Sequence, residues 1–169
     1  MRVYLPATLP AVREALRQGH VGPAPLTGFA VTPALREWYV EGDIEELEYA
    51  AMTEAARGSL RLLDADPAAP RRRVVLAAEL PDAWVRPGHA ADRAADRAAV
   101  TIGEPVPMAR VVAAHVDDGA AEPVVATAAE AVVEADLGDE DARFAVDEAE
   151  GQELLWYATQ ELAALVDQP

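Results

Sequence analysis

The run from Arg71 to Leu80, centred on Val74, Val75 and Leu76, limits this chain's choices more than any other. It is the clearest strand signal in the sequence. Helical periodicity stands on both sides of it, so strands and helices must share one core. Upstream, Leu9, Val12 and Leu16 recur at three and four residues, with Thr8 placed as N-cap and Gly19 as stop. Thr32-Pro33 opens a short second helix. Asp43-Ile44-Glu45-Glu46 has the form of a capping box. The helix behind it is the longest and runs to about Leu63 on a face that includes Leu47, Ala51, Ala55 and Leu60.

The remaining strands are shorter. Arg2 to Ala7 alternates as a first strand, and Gly28 to Val31 forms a short one. Ala99 to Val106, broken by Gly103 and Pro105, and Val111 to Val116 follow, and Pro123 opens a helix to about Ala135. Phe144 to Val146 reads as a second short strand. Leu154 to Ala158 is the last full strand, and Thr159 caps a terminal helix. The order predicts an α+β protein, a ferredoxin-like βαββαβ sandwich with an enlarged first helical crossover and an added C-terminal helix. A length of 169 residues fits one domain, 1–169, with residues 82–98 as a mobile linker inside it. The tripeptide Phe-Ala-Val at 29–31 and again at 144–146 hints at a duplication.

Composition excludes more than it selects. Aromatic residues make up 5%, so alanine, valine and leucine must build the core. With no cysteine, disulfides, thiolate metal sites and cysteine nucleophiles are out. All 14 basic residues are arginine, which removes Schiff-base and P-loop lysine chemistry and points to a GC-rich genome. The net charge of −16 argues against direct binding of nucleic acid. No signal peptide and no run of about 18 apolar residues is present, so a cytoplasmic protein free of the membrane is expected. Residues 111–169 carry 15 acids and a single arginine, Arg143, so nearly all the excess charge sits in the last third.

Four constellations are candidates for chemistry. His115 and Asp117, two residues apart on a strand, share one face and could hold a metal or act as a base and its orienter. Asp118 adds a third carboxylate or imidazole group, although the plainer reading has Asp117 and Asp118 forming a turn. Asp43, Glu45, Glu46 and Glu48 could chelate a cation, or simply solvate a helix start. Arg71 and Arg73, alternate members of an arginine triplet, could grip an anion or pair with neighbouring acids. The pairs Trp38-Tyr39 and Trp156-Tyr157 could serve the core or an interface; on a strand, Trp156 and Tyr157 face opposite ways. Ser59, the one serine, lies inside the long helix and lacks a nucleophile motif.

Several segments read together resemble a known family: Met1-Arg2-Val3-Tyr4-Leu5-Pro6-Ala7-Thr8, Phe29 to Tyr39, Asp43 to Ala51, Arg72 to Ala77, His115-Val116-Asp117-Asp118 and Trp156-Tyr157-Ala158. The chain resembles a family of small acidic actinobacterial proteins classed as a domain of unknown function. The resemblance brings no activity, ligand or catalytic residue with it. No complete catalytic constellation stands out, and no cofactor is expected. The leading expectation is a non-enzymatic interaction or regulatory protein that presents its acidic C-terminal third to a basic protein partner. The alternatives are a small metal-assisted or acid–base enzyme using His115 and Asp117, with a carboxylate such as Glu45, and a sensor of small anionic ligands using Arg71 or Arg73.

Overall fold

The structure, a computed structural model, describes residues 1–88 and 97–168. Its framework is a seven-stranded antiparallel sheet. In chain order the strands are β1 (Arg2–Ala7), β2 (His20–Val21), β3 (Leu26–Ala30), β4 (Val74–Glu79), β5 (Val85–Pro87), β6 (Ala99–Ile102), β7 (Val106–Pro107), β8 (Val111–Asp117) and β9 (Leu154–Tyr157). The helices are α1 (Leu9–Gln18), α2 (Pro33–Trp38), α3 (Ile44–Ala65), α4 (Glu122–Asp136), α5 (Glu140–Glu150) and α6 (Leu162–Val166). The sheet order is β5-β6-β3-β1-β4-β8-β9, and β2 pairs with β7 in a separate ribbon.

The α+β class holds, but the strands are not in ferredoxin-like order. That order would set the last strand beside the first. Here β9 closes an edge, three places from β1. The cause lies in the first crossover. Its strand β3 pairs with β1 on one side, Val3 opposite Ala30, and β4 pairs along the other side from Arg2–Glu79 to Ala7–Val74. Both flanks of β1 are taken, and β9 can only add beyond β8.

The sheet is covered on both faces. Val3, Leu5, Val74, Leu76, Val100, Ile102 and Val116 face α1 and α6, which contribute Leu9, Val12, Leu162 and Leu165. Tyr4, Phe29, Val75, Ala77 and Ala113 face α3 through Leu47, Ala51, Ala55 and Ala56. A third cluster joins Leu60 and Leu63 of α3 to the α4–α5 hairpin through Val125, Val132 and Val146. Each fully buried leucine or valine contributes about 1.5–3 kcal/mol of transfer free energy. Small side chains let the layers approach closely. A Cβ on Gly58 would stand 3.1 Å from the Pro6 ring, so α3 packs closely against the side chains of β1 there.

Most local signals form the elements where the sequence placed them, but Thr159 does not cap the terminal helix: it lies inside the turn Thr159–Glu161 and the helix begins at Leu162. Thr8, Thr32 and Asp43 each accept a backbone N–H at the start of α1, α2 and α3. Gly19 ends α1 in the left-handed region at φ 86°, donating to the Ala15 carbonyl. Ser59 is fully buried; its hydroxyl donates to the Ala7 carbonyl (2.7 Å) and accepts from the Val74 N–H (3.0 Å). It therefore ties the end of β1 to the start of β4.

One strand expectation fails. Phe144 to Val146 lies within α5, because Asp139 caps the Ala142 N–H at 2.8 Å and Ala142, Val146 and Ala149 recur on one helical face. The tripeptide echo consequently joins a strand to a helix and marks no structural repeat. Within the expected linker, Asp82–Trp84 is a turn and Val85–Pro87 pairs with β6. Residues 89–96 lie outside the described residues. Among those described, no helix is long and apolar enough to cross a membrane.

Candidate functional site

The end of β8 is where chemistry-bearing residues come together. β8 pairs with β4 on one side and with β9 on the other, so His115 stands between Val75 and Trp156. His115 and Asp117 project from the same face, as their spacing requires. Their surroundings differ sharply. Asp117 is fully buried and Arg73 is 2% exposed. The Asp117 Oδ2 accepts from the backbone N–H of Arg73 (2.7 Å) and from its Nε (2.9 Å), and Oδ1 accepts from Nη2 (2.8 Å). Arg73 Nη2 also donates to the Gln152 carbonyl at 3.0 Å. This bidentate pair satisfies the charge of both groups and pins the segment leading into β9. The carboxylate of Asp117 is thereby committed to Arg73.

His115 is half-buried. Burial, then the nearby Arg2 guanidinium, lowers its pKa below the usual histidine value, so the neutral ring is favoured. Asp118 is exposed and accepts from the Ala120 N–H at 3.0 Å, capping the turn before α4. Among the described residues no three of histidine, cysteine, aspartate and glutamate gather closely enough to hold a metal ion.

The arginine triplet divides among three tasks. Arg71 donates to the carbonyls of Leu63, Asp66 and Ala69, closing the C-terminal end of α3. Arg72 donates to the Asp117 carbonyl (2.8 Å), and Arg73 takes its carboxylate. Arg71 and Arg73 do not converge on a common anion.

The acidic start of α3 borders an open cleft of about 830 Å³ with Tyr39, Tyr49, Asp43, Glu45, Glu46 and Glu54 on its walls. Asp43 is engaged as the N-cap. Glu54 was not singled out by the sequence. Its Oε2 is buried without a hydrogen-bond partner among the described residues, and burial raises its pKa despite the proximity of Arg57. Nothing in its spacing distinguishes it from the solvated glutamates of the same helix.

The acid-rich third is held by arginines from the rest of the chain. Arg57 pairs with Glu150 (2.7 Å), Arg61 with Asp136 (2.8 Å) and Arg73 with Asp117 (2.8 Å). The other twelve acids of residues 111–169 are exposed. On α5, Glu140, Asp147 and Glu148 surround Phe144, which is 67% exposed. The aromatic pairs separate as well. Trp38 is exposed under the Arg97 guanidinium, 3.8 Å from its ring centre. Trp156 is 62% exposed at the sheet edge, and Tyr157 is half-buried on the opposite face.

The model of a family of unknown function, DUF6912, matches residues 1–166. No curated protein and no solved structure matches the chain.

Proposed function

The chain belongs to the DUF6912 family, and we propose that it is a non-enzymatic interaction or regulatory protein whose acidic C-terminal surface receives a basic protein partner. The observation that carries this reading is the division of labour among the acids. The three that face inward are neutralised by Arg57, Arg61 and Arg73, while twelve remain at the surface of α4, α5 and the segments around β9. Of these twelve, Asp167 lies 3.9 Å from Arg13; a surface so rich in acid raises the rate of encounter with an oppositely charged partner and disfavours like-charged ones. The exposed Phe144 supplies an apolar contact beside those acids, an aromatic of the kind enriched in interface cores, with the charges around it as a polar rim. The arginine-only composition supports an actinobacterial source, and a cytoplasmic setting fits the same reading.

The test is affinity capture from lysate at low and high salt, with a triple charge reversal (Glu140→Arg, Asp147→Arg, Glu148→Arg) as comparison. A basic protein retained at low salt, released at high salt and lost from the variant is the expected result. Retention that ignores both salt and the reversal would overturn the reading.

A further inference from the structure

We infer that β9 is a docking edge at which an extended, arginine- or lysine-bearing segment of the partner adds as an eighth strand. The inference rests on the acidic-surface reading and specifies how that surface is used.

β9 is the last strand of the sheet, with β8 on one side and no strand on the other among the described residues. In an antiparallel pair every second residue turns its N–H and C=O away from its partner. Half the backbone polar groups of Leu154–Tyr157 therefore point outward, ready to pair with another strand. Proteins usually blunt such edges by shortness or with charge, proline or a bulge inside the strand, and of these devices β9 shows shortness alone, at four residues. Leu154-Leu155-Trp156-Tyr157 has no charge and no proline, and its register with β8 is unbroken from Ala114–Tyr157 to Asp117–Leu154. Leu155 and Trp156 are exposed on opposite faces of the strand, so an added strand would find an apolar contact on each side.

The edge is also held in place before anything binds. Arg73 grips the Gln152 carbonyl just ahead of β9, and Glu161 accepts from the Ala158 N–H just behind it at 2.8 Å. A strand template fixed at both ends has less entropy to lose on pairing.

Charge selects the occupant. Glu153 precedes β9 directly, Glu148 lies near the end of α5 before it, and Glu161 follows, all three exposed. A second copy would bring the same carboxylates together, whereas a basic strand neutralises them. A guanidinium opposite Trp156 would in addition rest on an exposed indole face.

The experiment uses the full chain and a fluorescein-labelled ten-residue peptide of alternating arginine and valine, read by anisotropy. Two further versions carry N-methyl groups on the odd or on the even amides. Charge and side chains are retained in both, but each loses one edge's donors. The unmodified peptide is expected to bind, and one methylated version to lose about tenfold or more, the consequence of two or so lost hydrogen bonds. The other version should bind nearly as well as the parent. Trp156→Ser, a change at an exposed position, should weaken all binding several-fold with the Tm unchanged. Equal binding of both methylated peptides would overturn strand addition while leaving the acidic-surface reading in place. Failure of the parent peptide to bind would overturn it too, with salt-dependent capture still judging that surface. A concentration-dependent dimer in sedimentation that Trp156→Ser abolishes would assign the edge to a second copy and overturn the basic occupant.

Discussion

β5 and β9 end the same sheet on opposite sides, and they are built in opposite ways. β5 has three residues; Val85 is buried against the core, Arg86 is exposed, and Pro87 offers no N–H. Apolar burial holds this edge, and proline and charge close it to further pairing. β9 has four residues, none of them fully buried. Leu154 and Tyr157 rest against the core only in part, and polar anchors at the two ends supplement them, the Asp117–Arg73–Gln152 chain before β9 and Glu161 after it. One edge is finished and the other is left available. The contrast also shows that an acidic chain can use part of its charge in assembly, since Asp117, Asp136 and Glu150 dock the last third onto α3 and the start of β4.

Asp117→Ala should have the largest effect of any single change at either edge. It strands the Arg73 guanidinium in the core and is expected to cost about 3–5 kcal/mol. The denaturant midpoint would report it, and hydrogen exchange in β9 should accelerate together with it. A loss below about 1 kcal/mol would mean that β9 is not anchored by this pair.

At the other edge, Val85→Ala should cost about 1–3 kcal/mol through lost burial and the space left behind. If Val85→Ala proved harmless while Arg86→Ala did not, the assignment of β5 to apolar burial would be broken. Trp156→Ser should fall within about 0.5 kcal/mol in the same unfolding assay, as exposed substitutions usually do. A larger loss would place the indole in the core and remove it from the docking edge.

The smallest effect belongs to pH. The folded state lowers the His115 pKa below the ordinary 6.5, so protonation favours the unfolded chain. Its contribution is fully present above the unfolded value and fades as the pH falls through 6.5 toward the folded value. The difference in Tm between the wild type and His115→Gln should therefore change between pH 8 and pH 5, with the wild type losing more on acidification. A difference that stays flat would show that His115 titrates alike in both states.

Much of the local structure was legible. Thr8, Thr32 and Asp43 announced three helix starts, and Gly19 announced a stop, because capping involves groups within a few residues of each other. Asp139 is an equally good cap, but Phe144-Ala145-Val146 taken alone has the look of a strand, being apolar throughout. The wider spacing of Ala142, Val146 and Ala149 carried the true period. The candidate site was legible only in part. That His115 and Asp117 share a face followed from strand geometry. That Arg73 takes both carboxylate oxygens did not, since 44 residues separate the partners.

The sequence by itself determined the α+β class, the small-residue core and the concentration of acid in residues 111–169, because composition, periodicity and capping are local properties. Tertiary structure decided the strand order, the pairing of Arg57, Arg61 and Arg73 with acids of the last third, and the placing of Leu154–Tyr157 at an open edge. Those depend on both flanks of β1 being taken by β3 and β4, and pairing between distant segments leaves no periodic mark in either one.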